Sequence, residues 1–238
     1  MKLFLLLMLA CLNAEAMVLQ SDRDLTYCIA STLFNSIRVY SLKAEAGSQG
    51  TVADLSDAIE QDGKQLVFAM NAGMYQADLT PMGLLVSNGR QLHPLNTRRG
   101  RGNFYAQPNG VFYMQGPRAG ILSTAAYQRA GIKPTLATQS GPILISRGRV
   151  ITSRTVSPTA TSKYVRNAVC VFGSTKIAFI ITNRPMTMYQ FATMLRDNLH
   201  CVDALYLDGS VSRMYSPFMQ GHSDPSFTAG PVFAITHG

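Results

Sequence analysis

The stretch Leu205-Tyr206-Leu207-Asp208-Gly209-Ser210-Val211-Ser212 joins an apolar run to an acid, a glycine and two hydroxyls. The pattern predicts a buried strand that delivers the Asp208 carboxylate to its end, where Gly209 lets the backbone turn sharply. A carboxylate held there can attack an electrophile or take a proton from water. It can also cap its own turn, as Asp-Gly commonly does. The rest of the chain favours the chemical role. No Asp or Glu occurs from residue 79 to 196, a span that holds 15 Lys and Arg. Carboxylate chemistry therefore has few candidates, and Asp208 is the best placed.

Other polar residues mark the ends of apolar runs. Gln65–Met70 reads as a strand ending at Asn71-Ala72-Gly73. Tyr164–Phe172 reads as a strand with Arg166 in mid-run, where a guanidinium needs an anionic partner. Thr138-Gln139-Ser140-Gly141-Pro142 reads as a turn before the strand Ile143–Ser146, and its backbone N–H groups could cradle an anion. It lacks the strand–turn–helix setting of a nucleophile elbow, which argues against a serine hydrolase. His93 reads as a packing or surface residue on the second arm of a hairpin closed by Asn88-Gly89.

The elements that must position these residues are mostly strands. Leu25–Ala30, Ile37–Leu42, Val111–Met114, Ile177–Thr182 and Pro231–Thr236 all have strand character. Thr51–Gln61, Thr124–Ala130 and Thr187–Leu199 read as helices, the last with Phe191, Met194, Leu195 and Leu199 as a core-facing stripe. No repeat, linker or low-complexity block is visible. These features predict one domain over 17–238 of α+β (mixed α/β) class, with mostly antiparallel or mixed sheets and a few helices.

The N-terminus reads as a signal peptide over residues 1–16. Lys2 precedes the apolar stretch Leu3–Leu12, and Ala14-Glu15-Ala16 supplies a cleavage site. The reading predicts an exported protein, periplasmic or secreted, with no transmembrane helix in the mature chain; the alternative is a lipoprotein anchored at Cys11. The mature chain carries 20 basic and 12 acidic residues, so it keeps the +8 of the whole sequence. Over the whole sequence arginine dominates, 15 to 6 over lysine, which suits carboxylate and phosphate recognition. The charges form no basic stripe, so nucleic acid is not the expected partner. Cys28, Cys170 and Cys201 allow one disulfide and one thiol, without choosing the pair. No zinc spacing is present and no cofactor or obligatory metal is expected.

Five motifs occur in one order. They are Asn71-Ala72-Gly73-Met74-Tyr75, Gly102-Asn103-Phe104-Tyr105 with Pro108-Asn109-Gly110-Val111-Phe112, Ala137 to Pro142, Arg166-Asn167, and Asp203 to Gly209. Together they resemble the phosphodiester glycosidase family, from about Cys28 to the C-terminus. The Gly209-Ser210-Val211-Ser212 turn is similar to that of exported bacterial members. The resemblance implies packed sheets, an active site at the strand ends, and hydrolysis of the bond between a sugar's anomeric carbon and a phosphodiester. It implies a sugar-phosphate or phosphate-bearing glycan as partner. On this reading Asp208 is nucleophile or base, Arg166 holds the phosphate, and Asn71 orients the reacting groups. Asn109, Ser140, Gly141, Asn167, Asn183, Gly209 and Ser212 contact substrate. Ordinary glycosidases need a second carboxylate to protonate a basic leaving group. A phosphate leaving group needs charge stabilisation instead, which an arginine-rich, acid-poor chain supplies. A binding module for an anionic envelope polysaccharide or glycolipid would use the same arginines and asparagines but would not need Asp208.

Overall fold

Alternation along the strands decides the architecture. In a computed structural model, which describes residues 17–42, 50–208 and 211–238, the elements run in order. They are β1 (Met17–Ser21), β2 (Leu25–Ser31), β3 (Ser36–Ser41), α1 (Val52–Gln61), β4 (Gln65–Asn71), β5 (Leu85–Ser87), β6 (Arg90–His93), β7 (Gly110–Gln115) and β8 (Arg118–Ser123). There follow α2 (Thr124–Ala130), β9 (Leu136–Ser140), β10 (Ile143–Ser146), β11 (Arg149–Val150), β12 (Asn167–Gly173) and β13 (Lys176–Thr182), and then α3 (Met188–Asp197), β14 (Asp203–Asp208), β15 (Met214–Tyr215) and β16 (Pro231–His237). The signal segment, Cys11 and Gly209 lie outside the described residues.

The strands form three sheets, ordered β1-β2-β13-β12-β14-β10-β11, β15-β4-β16-β3 and β6-β5-β9-β7-β8. Every strand pairing within them is antiparallel, so the mixed-sheet alternative is corrected. The hairpin pairs β1-β2, β5-β6, β7-β8, β10-β11 and β12-β13 are joined by short connections, which a parallel pair could not use because it needs a long crossover. The three inner faces share one core. Val169, Phe179 and Leu205 come from the first sheet, Phe68, Met70 and Phe233 from the second, and Leu85, Phe112 and Leu136 from the third. The outer face of each sheet is covered by a helix. Phe191, Ala192 and Leu195 of α3 pack on Ala168, Cys170 and Tyr206. Val52, Leu55 and Ile59 of α1 pack on Leu66, Ala69 and Ala234, and Tyr127 of α2 on Val111 and Ala137.

Reciprocal capping boxes start two of the helices. Thr51 accepts from the Asp54 N–H at 3.0 Å, and Asp54 accepts from the Thr51 N–H at 2.9 Å. Thr187 and Gln190 repeat this reciprocal box at α3. Gly131 ends α2 with φ 60°, a left-handed conformation that glycine adopts without penalty.

Two expectations are corrected here. Strand β12 starts at Asn167, so Arg166 precedes it rather than sitting in mid-run. Residues 136–140 form strand β9, paired with β5 and β7, where a turn is expected. Three consecutive polar residues hide the strand signal; all are buried, and the side chains of Gln139 and Ser140 find partners inside the protein.

Cys170 and Cys201 form the disulfide, with Cα atoms 5.7 Å apart and 31 positions between them in sequence. It ties β12 to the chain leaving α3. Cys28 is the free thiol, buried opposite Phe179 of β13, and burial pushes its pKa up. Closing a loop of this length contributes about 3–4 kcal/mol through the unfolded state. The Cys170→Ala/Cys201→Ala double variant is expected to lose that much in urea denaturation, and an unchanged midpoint would refute it. In the parent, an alkylating reagent should reach Cys28 only after unfolding.

Candidate active site

Strand ends from all three sheets meet at one place. Asn71 ends β4 in the second sheet, Asn167 begins β12 and Asp208 ends β14 in the first, and Ser140 ends β9 in the third. The Asn167 side chain joins two of these sheets. Its Nδ2 donates to Asn71 Oδ1 at 2.9 Å and to the Asn71 carbonyl at 3.2 Å, and its Oδ1 accepts from the Asp208 N–H at 2.8 Å. Asn71 Oδ1 also accepts from the Arg213 N–H at 3.0 Å. Backbone N–H groups can only donate, so they fix which way each amide points. Ser140 Oγ donates to the Leu207 carbonyl at 2.7 Å and ties the third sheet to β14. Asp208 is thus held through its own N–H and through the residue before it.

The Ser212 hydroxyl lies within reach of the Asp208 carbonyl at 2.9 Å, the Val165 carbonyl at 3.2 Å and Asn167 Oδ1 at 3.3 Å. These contacts fold the segment after Asp208 back onto β12. Asn71 Nδ2 is buried and has no hydrogen-bond partner among the described residues. Such orphan donors are rare and concentrate where function imposes them.

Tyr75 and Tyr206 lie in the field of the Asp208 carboxylate. Burial pushes the Tyr75 phenol up to about 12, with the charge of Asp208 raising it further and that of Arg213 opposing. Tyr206 is likewise pushed up to about 12 by burial, while Arg166 pulls it down and Asp208 raises it. Both phenols stay protonated at neutral pH and remain hydrogen-bond donors.

Arg166 points to the outer side of β12, toward Tyr206. It is 2 % exposed. Its Nε donates to the Met186 carbonyl at 2.8 Å, one Nη to the Tyr206 hydroxyl at 2.9 Å and the other to the Ser162 carbonyl at 2.9 Å. The guanidinium also lies 5.5 and 5.6 Å from the ring centroids of Tyr164 and Tyr206. The anionic partner expected of it is replaced by neutral oxygens and aromatic faces, and among the described residues it forms no ion pair. It still borders a cavity of about 300 Å³ with Asn103 and Tyr164.

The remaining predicted residues divide by place. Asn109 is buried and donates to the Phe104 carbonyl at 3.1 Å while accepting from Thr124 Oγ1 at 2.9 Å. A Cβ on Gly141 would stand 2.6 Å from the Asn109 Cβ, so this glycine is required for close packing. Asn183 is exposed, accepts from Thr26 Oγ1 at 2.7 Å and donates to the Asp22 carbonyl at 2.7 Å. It reaches a second cavity, of about 400 Å³, that also contains Ser212, Arg213, His222 and Asp224. Asn71, Asn167, Asp208 and Ser212 therefore form one constellation, whereas Asn109 and Gly141 serve as packing beside it.

Sequence reasoning leaves Tyr75, Arg213, His222 and Asp224 without roles. Position carried the available signal for the first two. Tyr75 follows the Asn71 junction by four residues, and Arg213 follows Asp208 by five.

The site thus sets one buried carboxylate at a strand end among amides, phenols and an arginine, within an antiparallel three-sheet fold. A family profile described as phosphodiester glycosidase matches residues 64–232, and the chain belongs to that family. The uncharacterized protein YigE of Escherichia coli K12 is 35 % identical over 189 residues, covering 79 % of this chain and 72 % of that protein. The fold is similar to the catalytic domain of zebrafish N-acetylglucosamine-1-phosphodiester alpha-N-acetylglucosaminidase, auto-inhibited by its pro-peptide, at TM-score 0.59 and 14 % identity. That match covers 92 % of this chain and 81 % of the other. A hypothetical protein from Synechocystis matches at TM-score 0.57 and 14 % identity, over 93 % of this chain and 61 % of the other.

Proposed function

We propose that the protein hydrolyses the bond between a sugar's anomeric carbon and a phosphodiester, with Asp208 as nucleophile or base. The observation that carries this reading is the setting of Asp208. It is 5 % exposed, its backbone is fixed by Asn167, and the Tyr75 phenol lies in its field and in that of Arg213. In the overall reaction water oxygen bonds to the anomeric carbon, and the bond from that carbon to the phosphate oxygen breaks with its electron pair. The phosphate monoester departs as an anion, and the proton lost by water passes to Asp208 or to solvent. A leaving group of this kind needs no proton from a second acid. We assign the Tyr75 phenol, which feels the Asp208 charge, and the unpaired Asn71 Nδ2 as hydrogen-bond donors to the substrate.

Arg166 has three of its five N–H groups committed to protein oxygens. We assign it to holding Tyr206 and the Ser162–Met186 region against β12, rather than to gripping phosphate alone. We propose also that the protein works in an oxidising compartment, a reading the Cys170–Cys201 disulfide supports.

The test is incubation with a panel of sugar-1-phosphodiesters. The panel includes N-acetylglucosamine-1-phosphodiesters, the class named for the zebrafish enzyme. Free reducing sugar and an equal amount of phosphate monoester are the expected products. Binding of the panel without turnover would remove the hydrolase reading in favour of a carbohydrate-binding protein.

A further inference from the structure

The cavity of about 400 Å³ beside the Asp208 constellation is polar, and its walls include Asn183, Ser212, Arg213, His222, Asp224 and Phe227. Arg213 is the one Lys or Arg among the residues that line it. We infer that this cavity receives the phosphate half of the substrate and that Arg213 is the side chain that grips it. The inference rests on the hydrolase reading for the identity of the substrate, but the anion site can be measured without turnover.

Three observations carry it. First, the backbone of Arg213 is anchored, while its guanidinium is felt by Asp224 and Tyr75 through its charge and not through a hydrogen bond. The backbone N–H donates to Asn71 Oδ1 at 3.0 Å, which places the residue three hydrogen bonds from Asp208 through Asn71 and Asn167. The residue is exposed, and among the described residues its guanidinium makes no hydrogen bond or ion pair. A planar fork with all its donors available suits a phosphate, which can accept two parallel N–H bonds.

Second, the neighbouring charges leave that fork available. Asp224 lies in the same wall, but its carboxylate accepts from the Ser226 N–H at 2.8 Å and makes no ion pair with Arg213. His222 is half-buried, and desolvation pulls its imidazole below the ordinary range against a smaller opposing effect of its hydrogen bond to the Met214 backbone. Burial favours the neutral imidazole, and its hydrogen bond to the Met214 backbone engages the one N–H that form carries, so it adds no rival cation to the pocket. Third, the other arginine near Asp208 is occupied: Arg166 donates to three protein oxygens and faces a different cavity.

The test uses methyl phosphate, the leaving half of a methyl phosphodiester, titrated calorimetrically into the full-length protein. Arg213→Met is expected to weaken binding at least about tenfold, the loss of one charged hydrogen-bonding partner. Arg213→Lys should fall between, keeping the charge but not the fork. Arg129→Met, on the exposed side of α2, should bind like the parent. Melting temperatures should match throughout, because Arg213 is exposed and its side chain makes no hydrogen bond or ion pair among the described residues. Binding by Arg213→Met equal to the parent's, or no binding of methyl phosphate by the parent, would overturn the inference. Turnover is scored separately. A parent inert on every sugar phosphodiester but with Arg213-dependent phosphate binding would retain the anion site and lose the hydrolase reading. A parent that turns over while binding phosphate independently of Arg213 would lose the anion site alone.

Discussion

Asp208→Asn is expected to leave a folded protein whose turnover of sugar phosphodiesters falls by about a thousandfold or more, on the order of 4 kcal/mol of barrier. The substitution keeps the size of the side chain and most of its hydrogen-bonding capacity but removes the charge. Its N–H donates to the Asn167 amide and its carbonyl meets the Ser212 hydroxyl, and these backbone contacts survive the change. Ligand affinity should hold or improve, because an anionic substrate then meets one fewer negative charge. A purely structural Asp208 predicts a different pattern, in which stability drops and activity follows the folded fraction. Measuring melting temperature, affinity and turnover on one preparation separates the two. A folded variant with near-parental turnover would end the catalytic assignment.

Arg166→Met is expected to act on stability instead. The residue is buried and supplies hydrogen bonds to the Met186 carbonyl, the Ser162 carbonyl and the Tyr206 hydroxyl, with two aromatic rings against its guanidinium. Methionine fills part of the volume and supplies none of the donors. Leaving these buried acceptors unpaired costs about 3–5 kcal/mol in total. For a chain of this size that corresponds to a fall of roughly 6–20 °C in melting temperature. Arg166→Lys should lose less, since an ammonium can satisfy some of the same oxygens, but it cannot reproduce the fork. Parental melting temperature together with a large loss of methyl phosphate affinity in Arg166→Lys would return Arg166 to the role of phosphate clamp.

The contrast between the two arginines shows where sequence reading stops. Arg166 attracts attention because it adjoins an apolar strand, and Arg213 does not because it lies in a polar stretch. Whether Arg166 faces the Asp208 constellation depends on where β12 begins. With Asn167 as its first residue, Asn167 turns inward to Asn71 while Arg166 turns outward to Tyr206. A strand's side chains alternate between faces, so a shift of one residue would exchange their environments. The sequence marks a strand here without fixing its first residue or its neighbours in the sheet.

Several features needed only the chain. The Asp208 strand ends at the acid because an apolar run gives way to Asp-Gly, and the structure carries β14 to Asp208. Both capping boxes follow from residues three positions apart, and the motif order names the family, because each depends on near neighbours or on order alone. Tertiary structure decided the rest. The bond from Asn167 to Asn71 spans 96 positions, and that from Ser140 to Leu207 spans 67. It chose Cys170 and Cys201 over Cys28 by bringing the chain after α3 onto β12. It made residues 136–140 a buried strand despite their polarity, because Gln139 finds its partners in Leu84, Asn96 and Thr124. Contacts of that separation are set by how three sheets close on one core, and no local pattern of residue types encodes them.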